Sequence, residues 1–359
     1  MEFLQRLRFP LMSVAFLALL AAMWAGLLRL GWQLPALSPG LASKHGPLMV
    51  AGFLGTLISL ERAVALGRAW TYAPPILAAL GVLSFLAGLP AAISISLMVL
   101  SSLGLIAVFV LIVRRQPALY NYVMLVGAVT WLAGNSLELV RQPVYAIVYW
   151  WAGFLGLTIV GERLELSRLR RLSHWDQALF LGALTLFLAG ILLTASVPAP
   201  GVQITGLGML ALALWLFRYD IARRTVRQKG LTRYVAVCML SGFAWLGFSG
   251  VLAVAFGPVP AGPHYDAVLH TLFIGFVLGM IFGHAPIIVP AVLKVPMTYG
   301  ASFYAPLILL QLSLLLRVGG DLFGWPVVRQ WGGLLNVLAV LLFMSVAARG
   351  VLAARRVTT

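Results

Sequence analysis

The chain alternates long apolar stretches with joints of a few polar, Pro or Gly residues. About 20 predominantly apolar residues suffice to cross a bilayer as a helix. Twelve such stretches can be read, at 10–32, 46–66, 71–89, 91–113, 119–140, 143–161, 177–196, 200–218, 232–256, 266–293, 300–318 and 326–348. The joints are short, as at Leu89-Pro90 and Pro198-Ala199-Pro200-Gly201, and leave no room for a soluble domain. The pattern predicts an all-α fold: a polytopic membrane helix bundle of about twelve transmembrane helices, with 1–359 as a single transmembrane domain. The first stretch is too long for a signal peptide and lacks a convincing cleavage site, so it reads as a retained helix.

Composition sharpens this picture. The sequence is 62% hydrophobic and 9% charged, whereas soluble domains are about half apolar and a quarter charged. A soluble enzyme, a disordered chain and a disulfide scaffold are excluded. With Cys238 the single cysteine, an intrachain disulfide and multi-cysteine zinc or iron–sulfur sites are excluded too.

The net charge of +16, from 25 Lys and Arg against 9 Asp and Glu, would suggest nucleic acid in a soluble chain. Threading it through twelve spans gives a different reading. Arg29, Lys44, Arg141, Arg317 and Arg329 fall on one side. The remaining Lys and Arg residues, including Arg168, Arg170 and Arg171, fall on the side that holds both termini. Short loops rich in Lys and Arg mark the cytoplasmic face. The expectation is therefore a bacterial cytoplasmic (inner) membrane protein, N-in and C-in, whose partner is the lipid bilayer and not nucleic acid.

Ionisable residues inside spans are costly and point to function. Of five histidines, His174 reads as a loop residue, and His264 sits in the outer turn Pro263-His264-Tyr265-Asp266 as a surface residue or secondary ligand. His45 begins the second span at its outer end, and His270 lies about one turn inside the tenth. His284 is 14 residues beyond His270, roughly 21 Å deeper and, for a uniform α-helix, within about 40° of the same face. Gly275, Gly279 and Gly283 form a ridge suited to close helix approach, and Pro286 and Pro290 predict a kink beyond His284. Imidazole suits iron, copper and zinc, so His45, His270 and His284 are candidate cofactor or metal ligands. The competing reading has them donating hydrogen bonds to carbonyls. Met49 follows His45 by four and Met280 precedes His284 by four. Such thioether–imidazole pairs could hold Cu(I), although packing explains both methionines as well.

Asp266 precedes His270 by four and is placed to accept an imidazole N–H, a role that orients metal-bound histidines. Glu61-Arg62 and Glu162-Arg163 read as boundary residues paired with neighbouring guanidinium groups, and Asn135 and Glu138 lie near the outer end of the fifth span. Asp321, in the expected outer loop after Arg317, reads as an Arg–Asp contact. There is no GxxxxGK[ST], HExxH, CxxCH or GxSxG sequence, so ATP hydrolysis, covalent haem and serine hydrolysis lack their signatures. The two six-helix halves do not align, which counts against inverted repeats.

The segment His45-Gly46-Pro47-Leu48-Met49-Val50-Ala51-Gly52-Phe53 resembles the start of helix 2 in NnrS-type membrane proteins of denitrifying bacteria. More distantly it resembles haem–copper oxidase subunit I. The run from His270-Thr271-Leu272-Phe273-Ile274-Gly275 through Met280, Gly283 and His284 is similar to the later histidine-bearing helix of the NnrS group. The likeness covers the topology of the chain, and its motifs cover only about 35 residues. It implies b-type haem, with copper as an alternative; His45 and His270, at similar outer depth on two helices, would be the ligand candidates able to supply both axial positions, with His284 a third. It also implies a role in respiratory redox or nitric-oxide-related metabolism, served by a periplasmic electron donor or respiratory complex. Pro143–Trp151 carries no histidine, nor does the seventh span at 177–196, and the oxidase pair of histidines separated by one residue is missing. The resemblance therefore does not extend to dioxygen reduction at a haem–copper centre. The alternatives are a membrane transporter, a metal- or haem-handling permease, and an assembly factor. Neither oligomeric state nor catalysis follows from the sequence.

Overall fold

A computed structural model describes residues 2–35, 40–167 and 172–358. Arg168, Arg170 and Arg171, counted above among the basic residues of the terminal side, lie outside the described residues. The described chain is helical, without strands. Twelve helices are long and apolar enough to cross a membrane: α1 (Phe3–Arg29), α2 (Leu41–Leu66), α3 (Ala69–Leu86), α4 (Ala91–Arg115), α5 (Leu119–Leu139), α6 (Val144–Ser167), α7 (His174–Thr194), α8 (Pro198–Tyr219), α9 (Gly230–Phe256), α10 (Pro263–Leu293), α11 (Ala301–Leu322) and α12 (Pro326–Arg355). The polytopic helix bundle expected from the apolar pattern is thus the observed fold, and each expected stretch overlaps one helix. Leu192, Leu214, Ile308, Leu312 and Leu315 are exposed on helix surfaces, as lipid-facing positions should be. Two expected loop residues are helical instead. His174 opens α7 and Asp321 belongs to the last turn of α11. The start of α7 follows from a capping box: Ser173 Oγ accepts from the Asp176 amide at 3.1 Å, and the Asp176 carboxylate accepts from the Ser173 amide at 3.0 Å.

By contacts the chain divides into two compact units, residues 1–161 with 291–294, and residues 162–290 with 295–359. In the first unit Asn135 of α5 ties three helices together. Its amide donates to the Met98 carbonyl of α4 at 3.2 Å, and its oxygen accepts from the Trp151 indole of α6 at 3.1 Å. Trp131 stacks on Phe154 with centroids 4.7 Å apart. Arg8, buried in α1, donates to the Tyr72 hydroxyl at 3.2 Å and to the Val292 carbonyl at 3.1 Å.

In the second unit the helices close on small residues. Lipid tails are as apolar as side chains, so helix association relies on close van der Waals approach. Gly206 of α8 and Gly250 of α9 face each other. A β-carbon on Gly206 would stand 2.7 Å from the Gly250 carbonyl oxygen, and one on Gly250 would stand 2.5 Å from that of Gly206. Arg163 and Asp220 form a buried bidentate pair at 2.7 and 2.8 Å, and Asp220 also accepts from the Ala222 amide at 2.7 Å. The partner of Arg163 is therefore Asp220, from the joint after α8. Glu61 does meet Arg62, at 3.7 Å.

Both histidine-bearing helices depart from α geometry. Residues Leu48–Leu54 of α2 and Thr271–Leu278 of α10 are π-helical. An i→i+5 turn takes up about one residue more than an α turn, which sets the helix phase back by about 100°. His270 and His284 then stand about 140° apart rather than about 40°, so the expected shared face is lost. Gly275 lies within the π segment, so the part of the setback that follows it draws Gly275 and Gly283 closer to one face. Both close on α9: Gly275 lies against Trp245, and Gly283 against Met239 and Cys238. The helix runs on through Pro286 and Pro290 to Leu293.

The glycine contact makes a stability prediction. Gly250→Leu forces α8 and α9 apart and should cost about 1–3 kcal/mol, the usual penalty of overpacking. Gly182→Leu, at a position with nothing within 4 Å of the added carbon, should leave thermal unfolding of the detergent-purified protein unchanged. Equal losses in the two variants would refute the packing role.

Candidate functional site

The three membrane histidines share one local device. His45 Nδ1 lies 2.7 Å from the Ala22 carbonyl oxygen of α1, His270 Nδ1 lies 2.9 Å from that of Asp266, and His284 Nδ1 lies 2.8 Å from that of Met280. A carbonyl oxygen can only accept, so Nδ1 is the donor in each case. In the neutral ring the lone pair then resides on Nε2. For His45, Gly26 of α1 makes room for the ring: a β-carbon there would meet His45 Cε1 at 3.0 Å and Nδ1 at 3.1 Å. The expected hydrogen bonds to carbonyls are present at all three positions. They are also the bonds that orient a metal-binding imidazole, so the two readings coexist.

His270 has a further partner on another helix. Its Nε2 lies 3.2 Å from Arg317 Nη2 of α11. Arg317 also grips the Asp266 carboxylate with Nε at 2.7 Å and Nη2 at 2.8 Å. The expected reach of Asp266 toward His270 is real, with Oδ1 3.2 Å from Nδ1. Both ring nitrogens of His270 therefore face protein partners, and the residue is one corner of an Asp–His–Arg triangle joining α10 to α11. The expected Arg317–Asp321 contact is replaced, because Arg317 turns to Asp266.

Asp321 occupies the other side of this triangle. Its side chain is fully buried, and its closest guanidinium is that of Arg329 on α12, with Nε at 3.6 Å from Oδ1. Its carboxyl faces Asp266, and no hydrogen-bond donor reaches either of its oxygens. Sequence reasoning left Arg317 and Asp321 out of the site. The four-residue spacing within α11 pointed each at the other, and only the packing of α10 on α11 redirects Arg317.

The other candidates fall outside this cluster. His264 stacks on Phe256 with ring centroids 3.9 Å apart. Met49 lies in the π-helical turn of α2, and the buried Met280 thioether packs toward Gly242 of α9. Among the described residues, no three His, Cys, Asp or Glu side chains gather to hold a metal ion. Haem asks for only one or two axial ligands, and His45 and His284 have the donor chemistry for it. His270 would first have to release Arg317.

The triangle should be strongly coupled. Arg317→Gln leaves a buried carboxylate short of its cation and should cost about 3–5 kcal/mol. The double variant Arg317→Gln, Asp266→Asn should lose clearly less than the sum of the single losses. Additive losses in thermal unfolding would count against direct pairing.

A family model described as Domain of unknown function (DUF8744) matches residues 8–352. No curated protein matches the chain.

Proposed function

The chain belongs to the family whose model spans residues 8–352, and we propose, from the geometry of its own histidines, a b-type haem-binding protein of the bacterial cytoplasmic membrane. It acts in respiratory redox or nitric-oxide-related metabolism, alongside a periplasmic electron donor or respiratory complex. Both termini face the cytoplasm, with Arg and Lys distributed accordingly.

The observation that carries this reading is the carbonyl-held imidazole of His45 and of His284. In each, the protein has fixed the ring and put the lone pair on Nε2 without help from a ligand. That pre-organisation suits an axial nitrogen donor. When bound, the haem would supply reversible one-electron chemistry and a site for a small gas. The chain's own contribution is to hold each ring, exclude water with apolar helices and keep His270 in its ion network. Copper, bound with the help of Met49, is the alternative metal.

A second reading, a transporter or a metal- or haem-handling permease, is favoured by one observation. Asp266, Arg317 and Asp321 form a charged network within membrane-spanning helices, as membrane pathways for ions and protons often do.

Two measurements test these statements. The protein purified after expression with ample haem should show a Soret band, and His45→Ala or His284→Ala should remove or shift it. Absence of the band, with stoichiometric copper by metal analysis, would transfer the site to copper. Absence of both would favour transport. For orientation, a cysteine placed at Gln142 should react with a membrane-impermeant maleimide in spheroplasts, whereas one at Gln228 should react only after the membrane is opened. The reverse labelling would invert the topology.

A further inference from the structure

Two carboxyl groups gathered around one guanidinium in a membrane-spanning bundle pose a charge problem whose solution is chemical. Asp266 is fully committed: its two oxygens accept from Arg317 Nε and Nη2 at 2.7 and 2.8 Å, and His270 Nδ1 stands 3.2 Å from one of them. Asp321 stands beside it with a side chain of zero exposure and no donor to either oxygen. The Arg329 guanidinium approaches only to 3.6 Å, beyond hydrogen-bond range. Arg317, on the same helix as Asp321, spends its short contacts on Asp266.

An ionised Asp321 here would be a desolvated charge without a hydrogen bond, facing a second negative carboxylate. Both features are expensive. A single proton resolves both. It turns Asp321 from an acceptor lacking donors into a donor, and the Asp266 carboxylate is the acceptor that faces it. We propose that Asp266 and Asp321 form a proton-binding site, a carboxyl pair joining α10 to α11 that holds one proton between them.

Among the described residues, the charged groups that face the pair fit this assignment. From α10 come Asp266 and His270, from α11 Arg317 and Asp321, and from α12 Arg329. With one proton shared, the pair carries a single negative charge and Arg317 balances it directly. Arg329, a quarter exposed, completes the rim. The bound proton moves between two oxygens and no bond other than O–H forms or breaks. Loss of that proton exposes Asp321 as a second negative charge, which draws Arg317 or Arg329 toward it and weakens the hold on Asp266 and His270. The site is thus a proton-linked latch between α10 and the α11–α12 pair, and it does not depend on haem occupancy.

The test uses the full chain in lipid nanodiscs. Infrared spectra near pH 7 should show a protonated-carboxyl C=O stretch that shifts on transfer to deuterium oxide. That band should lose its Asp321 component in Asp321→Asn, and the same loss should appear in a Glu138→Gln background, which removes another carboxyl shielded from water. Asn mimics the protonated form, so Asp321→Asn should keep the thermal midpoint within about 2 °C of the parent. Asp266→Asn also strips Arg317 of its partner, so the Asp321 variant carries the decision. Three results would overturn the proposal: no protonated-carboxyl band, a band unaffected by Asp321→Asn, or a midpoint that rises with sodium but not with choline chloride. The last would make the ligand a metal cation.

Discussion

Hydrocarbon offers no hydrogen bonds, and this single constraint accounts for most of the structure. A backbone crossing it must satisfy its own amides and carbonyls, which a helix does within one segment. Side chains obey the same rule at longer range. Asn135 spends both ends of its amide on neighbouring helices, Arg8 reaches a hydroxyl and a carbonyl, and Arg163 finds Asp220. Apolar surface cannot hold helices together in such a medium, so small residues do it by proximity, as where Gly206 and Gly250 meet.

The fold was legible because it depends on the length and period of apolar runs, which are local properties. Twelve runs gave twelve helices. The shifts at the ends, such as His174 and Asp321 entering helices, reflect capping and pairing that hydropathy alone does not register. The site was legible only where its partners were near in sequence. Asp266 and His270, one turn apart, were paired correctly. Arg317 was assigned to Asp321 on the same local logic, and the assignment failed because a guanidinium selects its partner in three dimensions. Nothing in the order of residues says that α10 lies alongside α11.

The histidines make a subtler point. Hydrogen bonding to a carbonyl and readiness to bind a metal were set against each other as readings of the sequence, yet the geometry makes them compatible. An imidazole has two nitrogens, and fixing one specifies the state of the other. At His270 the second nitrogen faces Arg317, a residue 47 positions away along the chain.

The under-wound, π-helical turn in α10 has a consequence for how this helix meets its neighbours. Its first half must aim Asp266 and His270 at one helix, and the glycines beyond must lie flat on another. A uniform α-helix with this sequence would satisfy one of these demands and miss the other. The additional residue acts as a phase shifter, decoupling the two halves so that each can be packed on its own terms.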